Sequence, residues 1–355
     1  MRADDRCDIV VAGNLPPPVH GQSLATERMI AMLRATGFAM EVHDIGPGDP
    51  RRSRLVRRLV RHAGAAVAVL RSRAPIFYLP VNNGAGMLLA VVLCVCARVT
   101  TKTPILHHHS YAYVARYSAV MAALARVAGN GALHVVQSEA IGAAMRKAYR
   151  IRQVLAYSNI GIVEDAGGHA APRAAPSGDA VTLGYLANIS VEKGIYVLLD
   201  AFAALRDSGV AARLVVAGPC NDPAIVAALR TSPAVDWIGP VYARDKQAFF
   251  ERIDIFAFPT MYAVETQGMV NLEAMGAGVP VVAFDRGRIG QDIGGTGGIA
   301  VPVGSDFAAA LAGFVAAFDP AAASPAARER YAELLRDHER DKRGLIDWIR
   351  LRLGA

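Results

Sequence analysis

The chain is poor in charge, in aromatic residues and in cysteine. Of 355 residues, 19% are Asp, Glu, Lys or Arg and 7% are aromatic, against 53% hydrophobic. Such a chain buries large cores and is a poor match for disorder or a coiled coil. The four cysteines, at positions 7, 94, 96 and 220, form neither a CxxC pair nor a dense framework. Zinc and disulfide scaffolds are therefore unsupported, and a reducing compartment suits the thiols. The opening MRADDRCDIVVAG sets acids where a secretory leader needs a basic lead, so a cytoplasmic location is expected. Long apolar runs are scarce too. The longest, Gly84 to Val99, is interrupted by Arg98 and falls short of the ~20 residues that span a bilayer, so a buried helix is expected there. No repeat period recurs, which sets aside solenoids and propellers. No GxGxxG follows the first apolar strand, and no basic motif is interleaved with aromatics, so dinucleotide oxidoreductase and nucleic-acid binding have little behind them.

What is present is a regular alternation. Short β-rich runs (DIVVAG, PIFYLPV, PILHHH, LHVVQS) alternate with Ala/Leu/Met-rich helical stretches, and the pattern returns in VTLGYLA, ARLVVAG, VDWIG, IDIFAFP and VPVVAFD. Alternation of this kind gives parallel sheets with helical crossovers. A chain this long exceeds one core, and a Gly/Pro/Ala-rich stretch near its middle suits a connection. The expected organisation is two doubly wound Rossmann-like α/β domains facing a central cleft. Residues 1–164 form the first domain, 165–178 the linker and 179–325 the second, with a charged helical segment over 326–355 that returns to brace both. Ligands of such sheets bind beyond the carboxyl ends of the strands. Charge is uneven: residues 1–165 hold 20 Lys+Arg and 10 Asp+Glu, whereas 166–355 hold 18 and 21.

Chemistry is therefore sought just after strands. After DIVVAG, the loop NLPPPVHGQS brings Gly21 to a helix expected to start near Ser23, where a backbone without Cβ admits a phosphate to the helix N-terminus. A rigid turn with an ordinary N-cap at Ser23 explains the same residues. After PIL come His107, His108 and His109, with His107 and His109 on one face by alternation. No Cys, Asp or Glu nearby completes a metal site, and a neutral imidazole there suits a hydrogen bond to a sugar hydroxyl or a polar residue in an interface. Lys193 sits at a strand-to-helix junction, where a cation offsets charge on a leaving diphosphate; a solvated surface lysine is the plainer alternative. In FPTMYAVETQGMVNLEAMGAGVPVVAFD, Glu265 and Glu273 lie eight apart around Gly268. If that interval is mostly helical, ~1.5 Å per residue sets the carboxylates about 12 Å apart. That exceeds the pairing used in glycoside hydrolysis and suits two acids gripping opposite ends of an elongated ligand, its diphosphate at the helix start near Gly268.

In order along the chain, PPPVHGQS, VEKG and ETQGMVNLEAMGAGVPVV resemble the family-four retaining glycosyltransferases of the GT-B fold, the last through its E-x7-E signature. The resemblance implies metal-independent transfer of a sugar from a nucleotide diphosphate sugar to a hydroxyl, with no cofactor beyond the donor. Carried over by motif, Gly21 and Lys193 meet the diphosphate, His109 (beside His107) and Glu265 the sugar, Glu273 the ribose, and the backbone of Gly268 and Met269 completes the phosphate cradle. The family commonly places Arg five residues before the EKG lysine; this chain has Asn188, leaving the second cation to residues such as Arg286 or Arg288. A sugar-nucleotide epimerase or phosphorylase of the same fold, and a catalytically weak nucleotide-sugar-binding protein, remain as alternatives.

One segment points to a partner. In RRSRLVRRLVRH, Arg51 to His62, Leu55, Val56, Leu59 and Val60 share one helical arc, with Arg54, Arg57, Arg58 and Arg61 opposite. With the basic first half, this suggests peripheral attachment to an anionic membrane carrying a lipid-linked glycan acceptor. The alternative is a helix packing its apolar face on the sheet.

Overall fold

The structure is a computed structural model describing residues 7–17, 21–46, 54–81, 83–165, 180–242 and 244–354. Pro18, Val19 and His20 of the first loop, Arg51 to Ser53 of the basic segment and positions 166–178 of the expected linker lie outside the described residues. The chain divides into two compact units, Met1–Ile162 with His338–Ala355, and Val163–Asp337.

The first stretch runs β1 (Ile9–Gly13), α1 (Gly21–Ala35), β2 (Met40–Asp44), α2 (Arg54–Arg71), β3 (Ile76–Val81), α3 (Ala85–Val99), β4 (Thr103–His108), α4 (Ala112–Ala115), α5 (Ala119–Ala128), β5 (Leu133–Val136), α6 (Glu139–Tyr149), β6 (Gln153–Ala156) and α7 (Ile160–Asp165). The second runs β7 (Val181–Leu186), α8 (Ile195–Asp207), β8 (Ala212–Ala217), α9 (Pro223–Thr231), β9 (Val235–Trp237), α10 (Arg244–Glu251), β10 (Ile255–Phe258), α11 (Met269–Gly276), β11 (Val281–Asp285), α12 (Ile289–Ile293), β12 (Gly298–Pro302), α13 (Phe307–Ala316) and α14 (Pro320–Leu353).

Each unit holds a six-stranded sheet, ordered β2-β1-β3-β4-β5-β6 and β12-β11-β10-β7-β8-β9, and the pairings are parallel. The continuous apolar runs are the central strands, where both faces are covered: every residue of β1 and β3 is buried. In the first unit, one face is covered by α1 and by Leu345, Ile346 and Ile349 of α14, and the other by α2, α3, α5 and α6.

Helix α14 belongs to both units in turn. Before the division, Arg328 donates to the Ala277 carbonyl at 3.0 Å; after it, Trp348 Nε1 donates to Gln153 Oε1 at 2.8 Å. Among the described residues no single helix is long and apolar enough to cross a membrane.

Two helix readings are corrected. The run over α3 is not a buried helix: Met87, Ala90, Leu93 and Ala97 are buried, but Leu88, Val92, Val95 and Val99 recur at helical spacing on an exposed face. Helix α1 extends back to Gly21, so Ser23 is no N-cap but a fully buried residue of the first turn.

Candidate functional site

The strand order of the second sheet reverses between β7 and β10, which pair directly and in parallel. Lys193 follows the first of these strands and Glu265 the second, and their side chains meet at 2.5 Å, from Nζ to Oε2. Both are largely covered, with side chains 23% and 14% exposed. The ammonium also lies 4.6 Å from the Tyr262 ring centroid and 5.8 Å from that of Phe258, a cation–π arrangement that holds it at the strand ends.

Local backbone fixes this lysine. Its N–H donates to the Ser190 carbonyl at 3.1 Å, and its own carbonyl accepts from Tyr185 Oη at 3.0 Å. Gly194 follows with φ of 81°, and a Cβ there would stand 1.8 Å from the Pro259 carbonyl oxygen. Only glycine fits, so the turn carrying Lys193 packs directly on the strand end leading to Glu265.

Glu265 is not helical. The helical part of the Glu265–Glu273 interval begins at Met269, with Gly268 as N-cap, so the mostly helical spacing expected from sequence does not hold. Instead Glu265 Oε1 accepts from the Gly268 N–H at 3.3 Å, folding the carboxylate back onto the start of α11. The loop is backed by Gly287, where a Cβ would come within 2.5 Å of the Glu265 and Thr266 carbonyl oxygens. Behind it lies a buried polar set: Gln267 donates to Asp292 at 3.0 Å and Arg288 Nε to the same carboxylate at 2.6 Å. Arg288 is thus committed to Asp292 and is removed as a second cation. Arg286 remains half-buried at the end of β11.

Glu273 lies on α11 among the fully buried Leu272, Ala274 and Met275. Burial pushes its carboxyl above the ordinary range, and Lys246 pulls it back. That lysine, on α10, reaches the two carboxylate oxygens at 2.7 and 2.6 Å. In the first turn of α11, the Asn271 side chain is fully buried with neither polar atom partnered, a costly arrangement in a finished interior. Asn188 is exposed beyond β7, and Met269 is half-buried at the head of α11.

In the first unit, Gly21 heads α1, and a Cβ added there would meet no atom within 4 Å. The three histidines separate as alternation predicts. His107 and His109 rings lie 4.0 Å apart, while His108 stacks on His134 at 5.2 Å. His108 bonds Tyr113 Oη and His134 Nδ1, each at 3.0 Å, and its carbonyl accepts from Gln137. His107 bonds the Tyr78 hydroxyl at 2.6 Å and is 1% exposed. It is therefore an internal support beneath His109 rather than a surface that a donor touches. Burial lowers the pKa of His107 and His108 well below the usual value, and that of His134 to about 4, so all three are neutral. His109 stays half-buried at the strand end.

Among the described residues no three His, Cys, Asp or Glu side chains converge to hold a metal ion. Sequence reasoning missed Lys246, Tyr262, Asn271 and His134. Lys246 sits in a polar helix with no signature, and the aromatic and imidazole partners become visible only when neighbouring strands are paired.

No curated protein sequence matches the chain. Solved structures do. HepE of Anabaena, in complex with UDP and glucose, is 16% identical with a TM-score of 0.65, over 96% of this chain and 99% of that one. A glycosyltransferase from Rickettsia africae is 13% identical with a TM-score of 0.67, over 98% and 99%. TarM of S. aureus, in complex with fondaparinux, alpha-GlcNAc-glycerol and UDP, is 13% identical with a TM-score of 0.60, over 81% and 59%. The two parallel six-stranded sheets with flanking helices are those of the GT-B fold. Residues 180–316, which carry Lys193, Glu265 and Glu273, match the family model described as glycosyl transferases group 1.

Proposed function

We propose that the chain is a retaining glycosyltransferase, moving a sugar from a nucleotide diphosphate sugar to a hydroxyl of a sugar or lipid-linked glycan in the cytoplasmic synthesis of bacterial surface polysaccharide. The carrying observation is the Lys193–Glu265 pair at the reversal of the second sheet, folded against the amino end of α11. This is where an α/β sheet binds its ligand, and the exposed peptide N–H groups of a helix start favour phosphate. The orphaned Asn271 adds unused hydrogen-bonding capacity in that first turn.

The chemistry follows from those charges. The acceptor oxygen bonds to the anomeric carbon on the face from which the diphosphate departs. The electron pair of the broken C–O bond goes to the diphosphate, and the acceptor proton goes to a phosphate oxygen. Lys193 and the helix start neutralise the departing charge without a metal. Glu265 then accepts from donor sugar hydroxyls, and Glu273, held by Lys246, accepts from the ribose. Gly21 and His109 are assigned to the diphosphate and the sugar.

HepE has been solved with UDP-glucose, so that donor heads the panel of nucleotide sugars to be screened. A native-state ligand raises the melting temperature, and a stabilising donor should then release nucleoside diphosphate when glycan acceptors are added. A panel with no stabilising member contradicts the reading, and recovery of an epimerised sugar reassigns it to an epimerase. Asn188 favours a second reading, a nucleotide-sugar-binding protein with little turnover: it brings no charge where the resemblance expects Arg, and Arg288 is committed elsewhere. Donor stabilisation without release under any acceptor supports that alternative.

A further inference from the structure

Helix α2 is mounted with its apolar side outward. Val56, Leu59, Val60, Val67 and Leu70 are all exposed, Val60 at 65%, while His62, Ala65 and Val69 face the core. This reverses the packing an amphipathic helix adopts on a sheet. Three of the arginines are partly covered: Arg57 and Arg58 are half-buried, and Arg61 bonds Asp44 and the Gly46 carbonyl. Among the described side chains of this segment, then, it is the aliphatic face that is the more exposed.

Helix α3 packs between α2 and α5 and continues the apolar surface. Leu88, Val92, Val95 and Val99 are exposed, the last at 67%, and no polar side chain interrupts that stripe. Nine large aliphatic side chains on two neighbouring helices exceed the scattered exposure normal for a soluble surface. Charge along these helices is basic, and the nearby Asp44 of β2 is paired with Arg61. Residues 50–138 contain no Asp or Glu and twelve Lys or Arg. Arg71, Arg98 and Arg126, one each from α2, α3 and α5, are exposed.

From this surface we infer that the outer face of α2 and α3 is a docking site for an anionic lipid bilayer, with the aliphatic side chains entering the headgroup–acyl boundary and the exposed arginines meeting lipid phosphates. Apolar area and basic charge together are what interfacial attachment requires. A second copy is a poor occupant, because face-to-face pairing would oppose two pairs of helices that carry no acid of their own, together with the same three exposed arginines. The inference goes beyond glycosyl transfer and is read without any donor, so the two stand or fall separately.

The test is cosedimentation of the full chain with vesicles of phosphatidylcholine alone, or of phosphatidylcholine mixed with phosphatidylglycerol, at low and high ionic strength. The wild type should bind the anionic vesicles at low salt, weaken as salt rises and largely ignore the neutral ones. Combined Val60→Gln, Val67→Gln, Leu88→Gln and Val92→Gln should weaken binding about tenfold or more with the melting temperature preserved, since these side chains are already in water. Combined Arg71→Gln, Arg98→Gln and Arg126→Gln should weaken binding and flatten its salt dependence. No vesicle binding at low salt, equal binding to neutral vesicles, or undiminished binding by the four-glutamine variant would each overturn the inference. So would a dimeric wild type made monomeric by those four substitutions, which would make the face a self-association surface.

Discussion

Lys193 and Glu265 are 72 residues apart in sequence, yet their charged atoms lie 2.5 Å apart because the strands preceding them are neighbours in the sheet. The pair costs desolvation on both sides, since each side chain is largely covered. Its worth lies in holding a cation and an acceptor at the strand ends in fixed positions. A donor that brings a diphosphate to the lysine and hydroxyls to the carboxylate replaces one set of charge-assisted bonds with another.

Lys246 should set the acid limit of donor binding. Burial raises the Glu273 pKa and the lysine opposes that rise. Replacing it, Lys246→Met, removes the opposing charge, so the carboxyl protonates at higher pH and ceases to accept from the ribose. Donor affinity measured against pH should lose its acid limb earlier in the variant, by about one pH unit. Superimposable profiles would remove Glu273 from the binding site.

Acid should weaken the first unit through its buried histidines. Burial holds His134 down to about 4 against an ordinary 6.5. The unfolded chain takes up the proton first, so stability is full above about pH 6.5 and falls progressively toward about pH 4. The loss from His134 alone should be on the order of 2 kcal/mol by about pH 5. Urea unfolding of His134→Asn should show a lower baseline and a shallower acid slope; parallel slopes would contradict the burial argument.

Two glycines should separate folding from function. In Gly194→Ala the new methyl meets the Pro259 carbonyl at 1.8 Å from a residue held at φ of 81°, so destabilisation above about 3 kcal/mol is expected. In Gly21→Ala it meets no atom within 4 Å, so stability should change by less than about 0.5 kcal/mol. If the diphosphate approaches Gly21, only donor affinity falls in that variant, which titration of the donor reads directly.

The fold was legible where strands are central. Apolar runs such as IFAF and VVAFD read as strands because both faces are covered. Three of the four edge strands, β2, β6 and β12, were not read, since an edge strand is paired on one side and half-exposed: β2 carries Glu41, His43 and Asp44, and β6 is partly exposed throughout. The places of Lys193, Glu265 and Gly268 in the fold were legible, because they sit at strand and helix ends that local pattern marks, and Glu273 was legible as a residue of the helix that follows. Partners supplied by another element were not: nothing near Lys246 announces Glu273, and nothing in the basic run over α2 announces that its apolar side faces out. Both are decided by packing, which a one-dimensional pattern does not carry.

The most direct test of the account is turnover of a stabilising donor by wild type, Lys193→Ala, Glu265→Gln and the double variant, followed as release of nucleoside diphosphate. Each single substitution should lower kcat by about a hundredfold or more, and the double should be little worse than the poorer single, because the two residues act as one unit. Near-wild-type kcat in both single variants, with donor binding intact, would contradict it.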